Sequence, residues 1–210
     1  MDLVSLYEEQ MSKYQKNWDQ FPWTDSNAYT AWLAQTYYYA RHTTRIISFA
    51  GSLFPFGDQE THNRFLEHAS EEKNHDRLLM SDLRHFGHKP EDFKELTATA
   101  NLYQTQYYWA MIESPMALFG YFLSLEGLAV TCCKTAVDKL EKVKPGCKYA
   151  TFLRVHAHDD VEHIKVAMDF AKAAEPKDLD MIKNNLVRTT DNYCQMLNSC
   201  KEAASKSKAA

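Results

Sequence analysis

His156-Ala-His-Asp-Asp160-Val-Glu-His163 is the stretch on which the fold turns. At 3.6 residues per turn, helix positions i, i+4 and i+7 fall within roughly 60° of one another. His156, Asp160 and His163 therefore form one stripe two turns tall, while His158, Asp159 and Glu162 point elsewhere and read as solvent-face residues. Leu153, Val155, Ile164, Ala167 and Met168 flank the stripe and put it on the core side. Two imidazoles and a carboxylate on an apolar flank are costly to bury unless something pairs with them, and a metal ion does so directly. An earlier stretch, His68-Ala-Ser-Glu-Glu72-Lys-Asn-His75, repeats the spacing of His, carboxylate and His. One such stripe alone reads as a hydrogen-bonded core histidine beside a surface ion pair. Two with one spacing, on separate long helices, read as a metal site.

A third contribution is Glu126, the only Asp, Glu, Lys, Arg or His between Glu113 and Lys134. A lone carboxylate in an apolar helix needs a partner, and the two stripes lack a bridging ligand. Fe, Mn and Zn accept this mixture of imidazole and carboxylate. The remaining histidines carry blander readings. His42 is expected to be structural or to line a pocket, and His62, His85 and His88 to be exposed at helix ends. The run Tyr37-Tyr38-Tyr39 is expected to pack, with the alternative that one ring faces the metals.

The six glycines and six prolines punctuate long segments that lack the period-2 alternation of strands. Helices are expected at about 3–18, 26–53, 58–86, 91–112, 115–141, 148–174 and 176–203, with Asp58 and Ser114 as N-caps and Pro115 in a first turn. The result is an all-α, up-and-down bundle of about seven helices. It is expected as one domain over 1–204, with 205–210 a flexible tail.

Of the 210 residues 45% are hydrophobic and 25% charged, and the net charge is -4. That mild acidity supports no nucleic-acid partner. The N-terminus carries acids where a signal peptide needs bases, and no 18 apolar residues run together, so neither export nor a membrane partner is expected. Five cysteines without CxxC spacing read as reduced thiols in a cytoplasm.

Two helical designs place histidines and carboxylates in a bundle core. The ferritin-like design needs a carboxylate on the helix before Glu72, and residues 31–54 contain no Asp or Glu. The chain instead resembles the heme-oxygenase-like di-iron oxidases and oxygenases, neighbours of thiaminase-type (TenA) and pyrroloquinoline quinone synthase proteins. The resemblance spans roughly 30–175. It is carried by HxxEExxHxxxLxxDLxxFG from His68 to Gly87, by Glu126-Gly, and by His156-x-x-x-Asp160-x-x-His163. It implies the heme-oxygenase-like fold and a metal set of Glu72, His75, Glu126, His156, Asp160 and His163, with Glu126 bridging. Some members place a glutamate seven residues before the first-helix histidine, where this chain has His68, so His68 is either a ligand or a support for one. Thiaminase-type members carry a cysteine early in the Glu126 helix, where this chain has Met116, which counts against that nucleophile.

The resemblance implies an O2-activating non-heme di-iron enzyme with two Fe ions (or Mn), acting on a small organic substrate such as an amino acid, fatty acid or aromatic acid, and working as a homodimer. Two alternatives stay open: a metal-binding or sensing protein without turnover, and a metal-independent TenA-like hydrolase on the same fold.

Overall fold

The computed structural model describes residues 1–207, apart from the side chains of 158–162 and of 206 and 207. Its elements are α1 (Leu3–Asp19), α2 (Ser26–Ala40), α3 (Thr43–Gly51), α4 (Gln59–Glu71), α5 (His75–Arg84), α6 (Thr97–Tyr108), α7 (Leu118–Leu128), α8 (Lys134–Val143), α9 (Thr151–Ala173) and α10 (Pro176–Ser207). No strand occurs among the described residues. Wider π turns extend α6 through Trp109–Glu113 and join α7 to α8 through Ala129–Cys133.

Local chemistry sets the helix starts. Asp2, Asp25 and Asp58 accept hydrogen bonds from backbone N–H groups of α1, α2 and α4, satisfying donors that a helix end leaves orphaned. Ser114 accepts from Met116 N–H and starts the turn Pro115–Ala117 ahead of α7.

The chain breaks where the 3.6-residue period gives no warning. The expected helix 26–53 divides at Arg41–His42, where the His42 ring stacks on Tyr103 at 3.9 Å. The expected helix 58–86 divides at Glu72–Asn74, and Asn74 takes a left-handed φ of 72°. Residues 91–96 are not α-helical, although the sequence reads as helix from 91. Buried Gln35 donates to Lys94 C=O and accepts from Leu96 N–H, so a tertiary contact takes up backbone groups that a helix would have used. At the other end, α10 continues to Ser207, beyond the 203 expected, and 208–210 lie outside the described residues.

The aromatic residues form the core's densest part. Trp18, Trp23, Trp32, Tyr29 and Tyr193 are fully buried and meet edge-on or stacked. Trp23 donates to Trp18 C=O and Trp32 donates to the Tyr193 hydroxyl. Each such ring contributes roughly 1.5–3 kcal/mol on burial, and the indole N–H groups of Trp23 and Trp32 stay satisfied.

Helix α7 sits in the middle, packed against α1, α9 and α10. Pro115–Val143 is long and apolar enough to cross a membrane by length and composition, but 78% of its apolar window is buried inside the fold. Gly120 permits the approach of α10, since a Cβ there would stand 2.1 Å from Ile182 C=O oxygen. Gly127 does the same for α1, where Met11 Sδ would be 2.6 Å away. With no side chains between the backbones, α7 presents Phe122 and Glu126, one helical turn apart, to the space facing α4 and α9.

Candidate metal centre

The break between α4 and α5 builds the first half of the site. His68 lies on the last turn of α4, Glu72 at its C-cap and His75 at the first position of α5. His75 and Glu72 meet at 3.1 Å, while His68 Nε2 is 3.9 Å from Glu72 Oε1.

The second half comes from α9. Its first residue is preceded by Ala150, which has no side chain to cap the helix. Asp82 of α5, itself fully buried, accepts from Phe152 N–H at 3.0 Å and supplies a cap from another helix. This bond holds α9 to α5, so the rings of His75 and His156 lie 4.7 Å apart. His156 Nδ1 is 2.9 Å from Phe152 C=O, an acceptor only, so Nδ1 carries a proton and metal ligation would fall to Nε2. One turn pair later, His163 comes within 5.6 Å of the His68 ring.

Two donor trios result, His68–Glu72–His163 and Glu72–His75–His156, each with its ligand atoms within 4.8 Å of one another. Glu72 belongs to both, so it occupies the shared position between them. Glu126 enters from α7 and stands 2.8 Å from His68 Nε2. Asp160 lies outside the described residues, as do the side chains of His158, Asp159 and Glu162. The sequence therefore located six of the residues that the fold gathers here: His68, Glu72, His75, Glu126, His156 and His163.

Glu71 has no place in the sequence reading, yet its carboxylate is 3.4 Å from His163 Nε2 and is clamped by Arg64 at 3.1 and 3.3 Å. The Glu71-Glu72 pair was the signal available. On an unbroken helix, neighbours point about 100° apart, and only the break after Glu71 lets both reach the same cluster.

The electrostatics are those of a cluster held together by opposite charge. Burial alone would lower the His68 pKa, but the Glu126 carboxylate beside it, helped by Glu72, raises it. Burial pushes the Glu72 carboxyl up, and the His75 hydrogen bond with the His68, His156 and His75 charges overrides this, holding it at about 2. Burial likewise works against the hydrogen bonds and charge of Arg64 at Glu71, whose pKa ends below the usual value.

The donor set suits a metal. The buried Glu126 carboxylate has His68 Nε2 at 2.8 Å from one oxygen, and its other oxygen accepts no hydrogen bond among the described residues. A buried carboxylate so placed is strongly disfavoured unless a cation completes it. Ligand atoms 2.0–2.2 Å from one ion stand about 3 Å apart at right angles, and the donors here are separated by 2.8, 3.1 and 3.9 Å. Imidazole with carboxylate is the ligand mixture of Fe, Mn and Zn.

The cluster forms one wall of a cavity of about 70 Å³, room for several waters or part of a small ligand. Tyr39 reaches this cavity, whereas Tyr38 donates to Pro90 and Phe93 C=O. His42 is not among its lining residues. His62 is half-buried rather than exposed, 2.8 Å from Gly51 C=O, and His85 and His88 are exposed. Cys133 also lines the cavity, and all five thiols are buried and free of disulfides.

An all-α bundle that brings four histidines and several carboxylates to its centre defines a class of helical metalloprotein scaffold. A family model described as iron-containing redox enzyme matches residues 30–190, and the chain belongs to that family. No curated protein matches the chain. Solved structures agree on a heme-oxygenase-like fold. A domain of unknown function with that fold from Shewanella denitrificans OS217 has a TM-score of 0.84 at 17% identity, covering 97% of this chain and 93% of its own. A TenA homologue from P. horikoshii OT3 gives 0.72 at 11%, covering 95% and 97%. A CADD-like protein of unknown function from Nostoc punctiforme PCC 73102 gives 0.67 at 15%, covering 94% and 98%.

Proposed function

We propose that this chain is an O2-activating non-heme di-iron oxidase or oxygenase acting on a small organic substrate. The observation that carries it is Glu126, buried, 2.8 Å from His68, with one oxygen unpaired among the described residues, beside two His/Glu trios that share Glu72. Membership in an iron-containing redox enzyme family supports the choice of iron. Bound iron would supply the electrons that reduce O2.

The protein's residues do the rest. Glu72 would be shared between two ions, with His75 and His156 on one side and His68, His163 and Glu126 on the other. Asp160 is included on the strength of the family resemblance. Phe152 C=O fixes the His156 tautomer, and Arg64 holds Glu71 behind His163. Phe122, packed on His68 with ring centroids 4.4 Å apart, helps keep water from the cluster.

The experiment is an anaerobic Fe(II) titration followed by O2, read by metal content per chain and by absorbance. About two irons per chain are expected, with a transient visible band that Asp160→Ala abolishes. Iron binding without O2 consumption would favour a sensing protein, and no binding above background would sink the proposal and return a metal-free hydrolase to consideration.

A further inference from the structure

Away from the His/Glu cluster, the cavity wall holds no Lys, Arg or Asp among the described residues. It is built mostly from rings and short apolar side chains, Trp18, Trp32, Phe152 and Tyr193 among them. Two of its lining residues carry a buried donor that is not used. The Tyr121 hydroxyl and the Trp18 indole N–H belong to residues only 2% and 1% exposed, and neither donates a hydrogen bond among the described residues, although Thr43 hydrogen-bonds to the Tyr121 oxygen. Buried polar groups are nearly always paired, so two unpaired donors on one cavity wall point to a ligand that accepts from them.

We propose that this cavity takes an organic molecule with an uncharged, apolar or aromatic body and a hydrogen-bond acceptor, such as a carbonyl oxygen, that the Tyr121 hydroxyl reads. A carboxylate placed against this wall would be buried without a counter-charge, which is strongly disfavoured. If the molecule has an acid end, that end has to lie at the metals. Among the described lining residues an ammonium finds only Glu72 and Glu126, both facing His68 of the cluster. Burial raises the Tyr121 pKa, with Thr43 opposing it only in part, so the phenol keeps its proton and donates at neutral pH. Tyr121 is then a specificity-determining residue, and its position on α7, five residues before Glu126, ties substrate orientation to the helix that carries a metal ligand. That this molecule is a substrate rests on the oxidase reading; that the cavity selects it does not.

Isothermal titration calorimetry on the EDTA-treated full chain tests it with three probes of one size: ethylbenzene, acetophenone and benzoate. Acetophenone is expected to bind about tenfold more tightly than ethylbenzene, the worth of one good hydrogen bond, and benzoate at least tenfold more weakly than acetophenone. Tyr121→Phe should erase the acetophenone advantage and leave ethylbenzene unchanged, the latter showing that the cavity is intact. Equal affinity for acetophenone and ethylbenzene, or benzoate binding as well as acetophenone, overturns the proposal, and so does a Tyr121→Phe chain that keeps the advantage. The wild-type ranking stands as a test even if the variant does not fold. Because no metal is present, a chain that takes no iron still reports on the cavity, while a chain with two irons and the wrong ranking removes this proposal alone.

Discussion

Glu72 and Glu71 are neighbours in sequence with unequal work. Glu72 is common to both donor trios, whereas Glu71 meets His163 alone within the cluster and is held by Arg64. Glu72→Gln keeps the volume and removes the charge, so it should lower metal content from about two ions per chain to less than one. Glu71→Gln should keep both ions and weaken binding by about tenfold, within the range seen when a group behind a ligand is lost. Metal analysis after dialysis against a graded chelator separates the two, and equal losses would show that Glu72 is not shared. The four histidines and Glu72 were legible from their repeated i, i+4 and i+7 spacing, and Glu126 from standing as the one charged group in an apolar stretch. Glu71 was not, since its contact with the cluster depends on a break that the spacing does not contain.

At the scale of the element, that break is the decisive local event. Asn74 holds a φ of 72° between α4 and α5, a region Asn tolerates and a β-branched residue does not. Asn74→Gly should therefore leave stability nearly unchanged, and Asn74→Val should cost about 1–3 kcal/mol and displace His75. The combined signature is a lower melting temperature together with weaker metal binding in the valine variant only. Gly120 is the other sensitive position, because a methyl there has backbone rather than a flexible side chain to displace. Gly120→Ala should cost about 1–3 kcal/mol or more, a fall of several degrees in a chain of this length. Gly57→Ala, where a Cβ meets nothing within 4 Å, is the control and should not move the melting temperature. Helix starts at Asp2, Asp25, Asp58 and Ser114 could be read from capping chemistry. The cap of α9 could not, because Asp82 provides it from 70 residues away.

For the whole molecule, the cluster couples stability to pH and to metal. In the metal-free chain the His68 pKa is raised above 6.5, so its contribution is complete below 6.5 and is lost as pH rises through the raised value. Glu72 runs the other way: with a pKa of about 2 against an ordinary 4.5, its contribution is complete above 4.5 and is lost as pH falls toward 2. The melting temperature of the chelated chain should therefore peak between 4.5 and 6.5 and decline on both sides. Metal at 100 times its dissociation constant adds about 2.7 kcal/mol, and it competes with the proton on His68. Thermal melts from pH 4 to 9 with and without Fe(II) should show the alkaline decline only in the chelated chain, and His68→Gln should flatten it. An alkaline decline that persists in that variant would assign it to other groups.

The sequence by itself determined the all-helical class, the helix starts at Asp2, Asp25 and Asp58 and the residue types of the site, because capping, periodicity and ligand spacing are local properties that each segment carries alone. Tertiary structure decided the rest. The breaks at Arg41–His42 and Glu72–Asn74 and the extended stretch ahead of α6 arise where a ring stack, a ligand cluster or a buried glutamine outweighs the small free-energy differences between helix and turn. Which carboxylate is shared, and that Tyr121 lines a cavity with an unused donor, depend on how α4, α5, α7 and α9 approach one another. Those approach distances are set by side chains far apart in the sequence, among them the two glycines whose missing Cβ atoms let α7 lie at the centre.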